Sequence, residues 1–193
     1  MASNGLLPCV ALVLVVTAAG CGPQSYNVRT NKDLAYSVPL TRVLLVSTPA
    51  AVAAQPAAVN AAVEKFERTL LEEMKRHFDA ACIPTAMARA NGAAPGQEDA
   101  VRKAISAFSP TQVLELHMHS MGYVERYQTK LPQGGWSAAL TDTSQNRVVW
   151  RAEASSAVLF DRNSRALADE FVQKLRSEGL LADACRGGPA PPA

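Results

Sequence analysis

Thr41 to Ser47 reads Thr-Arg-Val-Leu-Leu-Val-Ser, and an Ala- and Pro-rich stretch separates it from a long helical pattern. An unbroken run of branched apolar residues fits a strand covered on both faces. In the pattern that follows, Val59, Val63, Phe66, Leu70, Met74 and Phe78 recur at spacings of three and four, one apolar stripe. Glu64/Arg68, Arg68/Glu72, Glu72/Arg76 and Lys75/Asp79 stand four apart on its outer face, and Pro84 stops the helix near Cys82. A strand buried on both sides needs a layer above and a layer below it. The chain is therefore constrained to a mixed sheet with crossover helices packed on it.

The remaining segments supply the other elements. Gly22 to Tyr36 is polar and without period, which predicts a tether. Ile83 to Ala88 reads as a short strand, and Asn91 to Gln97, with Gly92, Pro95 and Gly96, as a loop. A second helix follows from about Glu98 to Pro110, with Val101, Ala104, Ile105 and Phe108 inward. Leu114, Leu116 and Met118 alternate with Glu115, His117 and His119, a strand with one buried and one polar face. Pro132 to Gly135 reads as a turn, Trp136 to Leu140 as a strand, Asp142 to Asn146 as a turn and Arg147 to Val158 as a strand. A last helix, capped by Asp161 or Asn163, carries Leu167, Ala168, Phe171, Val172 and Leu175 inward and ends at Gly179. The expected fold class is α/β (α+β), one mixed sheet of about four to five strands in the order β-α-β-α-β-β-β-α.

Composition narrows the function classes. Lys and Arg number 19 against 17 Asp and Glu, with no block of like charge, so the electrostatic footprint of nucleic-acid binding is missing. The sequence carries no Gly-x-Ser-x-Gly elbow, no His-Glu-x-x-His, no Walker-type loop and no dinucleotide fingerprint. No cofactor is implied, and a non-catalytic role is expected.

The start of the chain sets an address. Gly5 to Ala19 is uncharged and mostly Leu, Val and Ala. A run of about 15 is too short to span a bilayer as a helix and fits the apolar region of an export signal. It ends in Ala18-Ala19-Gly20-Cys21-Gly22. This stretch resembles the signal peptide of a bacterial lipoprotein. Two positions depart from that pattern: Ala18 stands where the family prefers Leu, and Met1 to Gly5 carries no Lys or Arg. The resemblance implies lipidation of Cys21, cleavage before it, and palmitate-type acyl chains that fix the protein to a membrane. Gly22, in place of the Asp that retains family members in the inner membrane, implies an outer-membrane protein facing the periplasm. A cleaved secretory signal without lipid and an uncleaved anchor are the alternatives.

The expected organisation is a signal peptide over 1–20, a lipidated cysteine and tether over 21–40, a globular domain over 41–185 and a disordered tail over 186–193. Cys9 lies in the leader and Cys21 would carry lipid, which leaves Cys82 and Cys185 in an oxidising space, where a bridge between them is expected. Two separate buried thiols are the alternative. Over residues 40 to 182 the element order resembles the small α/β domains of several periplasmic lipoproteins. Among these are the outer-membrane activators of penicillin-binding proteins, the curli-secretion lipoproteins and the amino-terminal domain of the Tol translocation protein. The segment Leu140-Thr-Asp-Thr-Ser-Gln-Asn-Arg-Val-Val-Trp150 resembles the hairpin of such proteins. The resemblance assigns no site residue beyond the lipidated cysteine.

Three candidate chemistries remain. Glu115, His117 and His119 share a strand face and offer a carboxylate and two imidazoles to a metal, against the simpler reading of a solvated face. Trp136, Trp150, Tyr123 and Tyr127 either cover a partner or pack across strands. Phe66, Phe78, Phe108 and Phe171 would line a pocket if the protein carried a small apolar ligand. The reading adopted is an accessory or binding lipoprotein that docks on an envelope protein. A metal-binding or enzymatic lipoprotein and a carrier stand as alternatives.

Overall fold

The computed structural model describes residues 26–48, 57–90, 97–126, 128–182 and 185. The expected leader over 1–20, Cys21, the expected loop residues 91–96, Tyr127 and the expected tail from 186 lie outside them. The elements are β1 (Val28–Lys32), β2 (Val43–Thr48), α1 (Ala57–Ala80), β3 (Thr85–Arg89), α2 (Gln97–Phe108), β4 (Gln112–Arg126), β5 (Thr129–Asp142), β6 (Arg147–Val158) and α3 (Asp161–Ser177). The six strands form one mixed sheet in the order β1-β6-β5-β4-β2-β3. β2 pairs in parallel with β3 and β4, and the remaining neighbours are antiparallel.

Two layers of helix explain the unbroken apolar run of β2. Val43 and Leu45 face α1 and α3 in the main core, while Leu44 and Val46 join Val113 beneath Val101, Ala104 and Phe108 of α2. On β4, Leu114, Leu116 and Met118 are buried on the main-core side, where Trp136, Ala138 and Leu140 of β5 and Trp150 and Ala152 of β6 continue the surface. Phe66 of α1 stacks on Trp136 with ring centroids 5.1 Å apart. Such aromatic pairs contribute beyond the area they bury, by about 0.5–1.5 kcal/mol.

The fold corrects four expectations. Val28–Lys32, inside the stretch read as a tether, is an edge strand antiparallel to β6, and Tyr26, Tyr36 and Leu40 around it are buried. Only alternate residues of so short an edge strand reach the core, so it leaves little period in the sequence. That strand raises the count to six. Pro132 to Gly135 is not a turn but lies within β5. Gly134 and Gly135 oppose an irregularity of β4 between Met118 and Ser120. A Cβ on Gly134 would lie 2.7 Å from the Met118 sulfur, and one on Gly135 would meet the Ser120 hydroxyl and lie 2.8 Å from His119 Nε2. The glycines are there for close approach of two strands. Finally, neither Asp161 nor Asn163 caps α3: the N-cap is Phe160 without a side-chain bond. Asn163 instead donates to the Val158 carbonyl at 2.7 Å.

Both long helices end in the same motif. At the end of α3, Gly179 N–H donates to the Arg176 carbonyl and Leu180 N–H to the Leu175 carbonyl, with Gly179 at φ 73°. At the end of α1, Cys82 N–H donates to the Asp79 carbonyl and Ile83 N–H to the Phe78 carbonyl, with Cys82 at φ 59°. Cys82 thus holds the left-handed position that glycine usually takes. It is joined there in a disulfide to Cys185, Cα atoms 5.3 Å apart, which ties the chain after α3 to the end of α1.

Candidate functional site

Parallel strands joined by helices leave a crevice at their carboxyl ends, where open α/β sheets bind ligands. That upper end is where β2 and β3 finish. A cleft of about 250 Å³ opens there between α1 and the edge strand β3, lined by Ser47, Glu67, Leu71, Met87, Ala88 and Arg89 among others. Its floor is polar. Glu67 is 1% exposed, and one of its carboxylate oxygens accepts from Arg89 Nη2 at 3.0 Å. The second oxygen, Arg89 Nε and the Ser47 hydroxyl are buried without a hydrogen-bond partner among the described residues. Glu64 adds a longer contact to Arg89 at 3.6 Å. Its lip is apolar: Met87 is 44% exposed.

Burial pushes the Glu67 carboxyl above its ordinary range, and Arg89 opposes the rise. Ser47 lies close enough to oppose it as well, although its hydroxyl makes no bond of good geometry. Buried polar groups in native folds are almost always paired, so three unspent ones in a single cleft mark a place suited to a polar guest. The arrangement suits binding. Arg89 bonds one Glu67 oxygen, and the Ser47 hydroxyl lies beside the same carboxylate, so the three groups face the cleft together.

Glu115, His117 and His119 do share the sheet face away from α1 and α3. Glu115 and His119 are exposed, while His117 is half-buried with Nδ1 3.1 Å from the Thr48 carbonyl. Same-face neighbours on a strand are about 6.8 Å apart, and the ligating atoms of these three do not converge. Among the described residues, the metal-ligating atoms that do converge within 4.8 Å belong to Glu73, His77 and Asp169. His77 Nε2 lies 2.7 Å from Asp169 on α3 and 3.7 Å from Glu73 on α1. Arg76 bonds the same Glu73 carboxylate, and the Arg165 charge also acts on it. This set bridges α1 and α3, and the Arg76 guanidinium shares the Glu73 carboxylate with it.

Trp136 and Trp150 are core residues, whereas Tyr123 stays 47% exposed. The four phenylalanines do not line one cavity. Phe66, Phe78 and Phe171 lie in the filled main core, and Phe108 packs on the other side of the sheet under α2. The carrier reading loses its pocket with them. Sequence reasoning missed the Glu67–Arg89 pair. Glu67 sits one position from the apolar stripe, at Phe66, and only the neighbouring β3 decides that it is buried.

No protein-family model matches the chain, and no curated protein matches it. Solved structures resemble it in outline. The PelC dodecamer from Paraburkholderia phytofirmans is 15% identical, with a TM-score of 0.47, covering 81% of this chain and 99% of that one. A putative neuraminyllactose-binding hemagglutinin homolog from Helicobacter pylori is 9% identical, TM-score 0.45, covering 74% and 90%. The lipoprotein GNA1162 from Neisseria meningitidis is 12% identical, TM-score 0.40, covering 72% and 96%. These likenesses concern outline alone, and no residue's role is taken from them. Among the described residues, no helix is long and apolar enough to cross a membrane.

Proposed function

We propose that the chain is a membrane-anchored periplasmic lipoprotein that acts without catalysis, as an accessory or binding component of a cell-envelope complex. Cys21 carries the lipid, Gly22 directs it to the outer membrane, and the partner is another envelope protein. The observation that carries the reading is the junction between address and fold. Ala18-Ala19-Gly20-Cys21 follows an export-length apolar run, and Tyr26, five residues after Cys21, is already buried in the domain. A domain joined so closely to its anchor works at the membrane, where tethering raises the effective concentration of a weak docking surface.

The surface offered to the partner is the open edge of β3 with the cleft behind it. An edge strand leaves a row of backbone donors and acceptors that an extended segment can pair with. A side chain of that segment bearing an amide or hydroxyl would meet the unspent groups of Glu67, Arg89 and Ser47. The test is fractionation and crosslinking in the native envelope. The unaltered chain is expected in the membrane fraction with a reproducible neighbour, and Cys21→Ala in the soluble fraction. A Cys21→Ala chain that fractionates like the unaltered one removes the anchor, and a solitary crosslinked chain removes the accessory role.

A further inference from the structure

We propose that the corner of the upper end formed by β1, β6 and the β4–β5 arm, on the far side of the sheet from the β3 edge, is a lipid-facing surface, on which the arm and Phe160 rest against the bilayer that holds Cys21. This rests on the anchored reading given above. Strand directions place the relevant parts together. Pairing of β5 with β6 stops at Gln133↔Val158, and β2 last pairs with β4 at Thr48↔His117. Beyond them, among the described residues, only β4 and β5 continue, from Tyr123↔Pro132 to Arg126↔Thr129. They form a two-stranded arm standing off the upper end.

β1 enters the sheet from the same end, since Val28 pairs with Ala154 and Lys32 with Trp150. Phe160 follows β6 at the root of the arm, where Leu159 N–H donates to the Pro132 carbonyl at 3.0 Å. Tyr26 lies near enough to Arg162 for that charge to act on its phenol. Tyr26 and the root of the arm are therefore neighbours.

Chain length does the rest. Cys21 lies five residues before Tyr26, a reach of at most about 17 Å. From Gln133 to Thr129 the arm extends about 14 Å, and two strand spacings of about 10 Å separate β1 from β5. Tyr26 lies about two residues below the Gln133↔Val158 root, so the arm tip stands about 20 Å beyond Tyr26, farther than the tether reaches, and the arm meets the bilayer surface.

The side chains suit that position. Tyr123 and Phe160, 47% and 41% exposed, are the exposed aromatic residues among those described. Val124 and Leu131 face each other across the arm, half-buried, and Lys130 is exposed. The Arg162 guanidinium lies 5.9 Å from the Phe160 ring. Aromatic rings prefer the headgroup level and cations favour anionic lipid. A lone two-stranded ribbon is marginal in water, so the arm gains from a second surface. The lower end presents the polar turn Thr143-Ser144-Gln145-Asn146, with the aliphatic Leu34 and Val148 exposed beside it and no exposed aromatic ring among the described residues.

Amide hydrogen exchange of the full acylated chain in phosphatidylethanolamine and phosphatidylglycerol vesicles tests this, with the Cys21→Ala chain mixed with the same vesicles as reference. Intact mass first establishes acylation. Amides of residues 121–131 and 158–162 should exchange about tenfold more slowly in the acylated chain, and those of 143–147 at the reference rate. An acylated chain whose arm exchanges as in the reference overturns the docking and leaves the anchor standing. Equal slowing of 143–147 overturns it too, because no end is then preferred. A mature chain without acyl groups overturns the anchor, and the docking with it.

Discussion

Cys82 sits where two requirements conflict, and the conflict can be measured. The bridge to Cys185 spans 103 residues. In the chain-entropy account, closing a loop of that length removes about 4.7 kcal/mol of freedom from the unfolded state, and native bridges contribute about 2–5 kcal/mol in practice. The same residue holds φ 59° at the end of α1. A side chain in that conformation costs about 1–2 kcal/mol, which glycine escapes. Two variants separate the effects: Cys82→Ser with Cys185→Ala, and Cys82→Gly with Cys185→Ala. Both lack the bridge, so both should lose about 4 kcal/mol against the oxidised protein. They differ by the serine side chain, which in the left-handed conformation carries the steric cost that glycine lacks, and the glycine variant should be the more stable by about 1 kcal/mol. With a urea slope of about 2 kcal/mol/M, its midpoint should lie about 0.5 M higher. A glycine midpoint at or below that of the serine variant would refute the left-handed cap. Unchanged stability in both would refute the bridge.

Four further variants test the buried polar groups and the close strands. Arg89→Ala strands the Glu67 carboxylate and should cost about 2–3 kcal/mol at pH 7 by denaturant melts. Glu67 has its folded pKa raised, so its ionisation lowers stability as pH climbs from the unfolded value of 4.5 through the folded one. Glu67→Gln should remove that slope, and the cost of Arg89→Ala should shrink in the same direction as pH falls. Asp142 behaves oppositely. The Ser144 hydroxyl, which donates to it at 2.6 Å, leads the causes holding its carboxyl low, and the Tyr36 hydroxyl also donates at 2.8 Å. Its contribution is complete above the unfolded value of 3.8 and is lost as pH falls through the folded one, so Asp142→Asn should flatten the acid limb of the stability curve. Gly135→Ala should cost about 1–3 kcal/mol in thermal or denaturant melts, because the methyl meets Ser120 and His119 across the strand pair.

The helices and the central strands were legible because each buries a continuous stripe or alternates strictly. Val43 to Val46 announces burial on both faces by itself, and the Leu114-Leu116-Met118 alternation announces one buried face. What stayed hidden depends on contacts between distant segments. Val28–Lys32 becomes a strand only because β6 offers an edge to it. Gly134-Gly135 resembles a turn signal, yet serves the approach of β4. Glu67 reads as a solvent-side charge on a helix until β3 closes over it. Local spacing likewise pointed to Glu115, His117 and His119, where a shared face is visible. The convergence of Glu73, His77 and Asp169 requires knowing that α1 and α3 lie side by side.

The most direct measurement is the intact mass of the mature chain recovered from the membrane fraction, with fragmentation of its first residue. The account predicts a polypeptide beginning at Cys21, with diacylglycerol on sulfur and an acyl group on the new amino terminus. A chain that still begins at Met1, or one whose Cys21 thiol is unmodified, would contradict it.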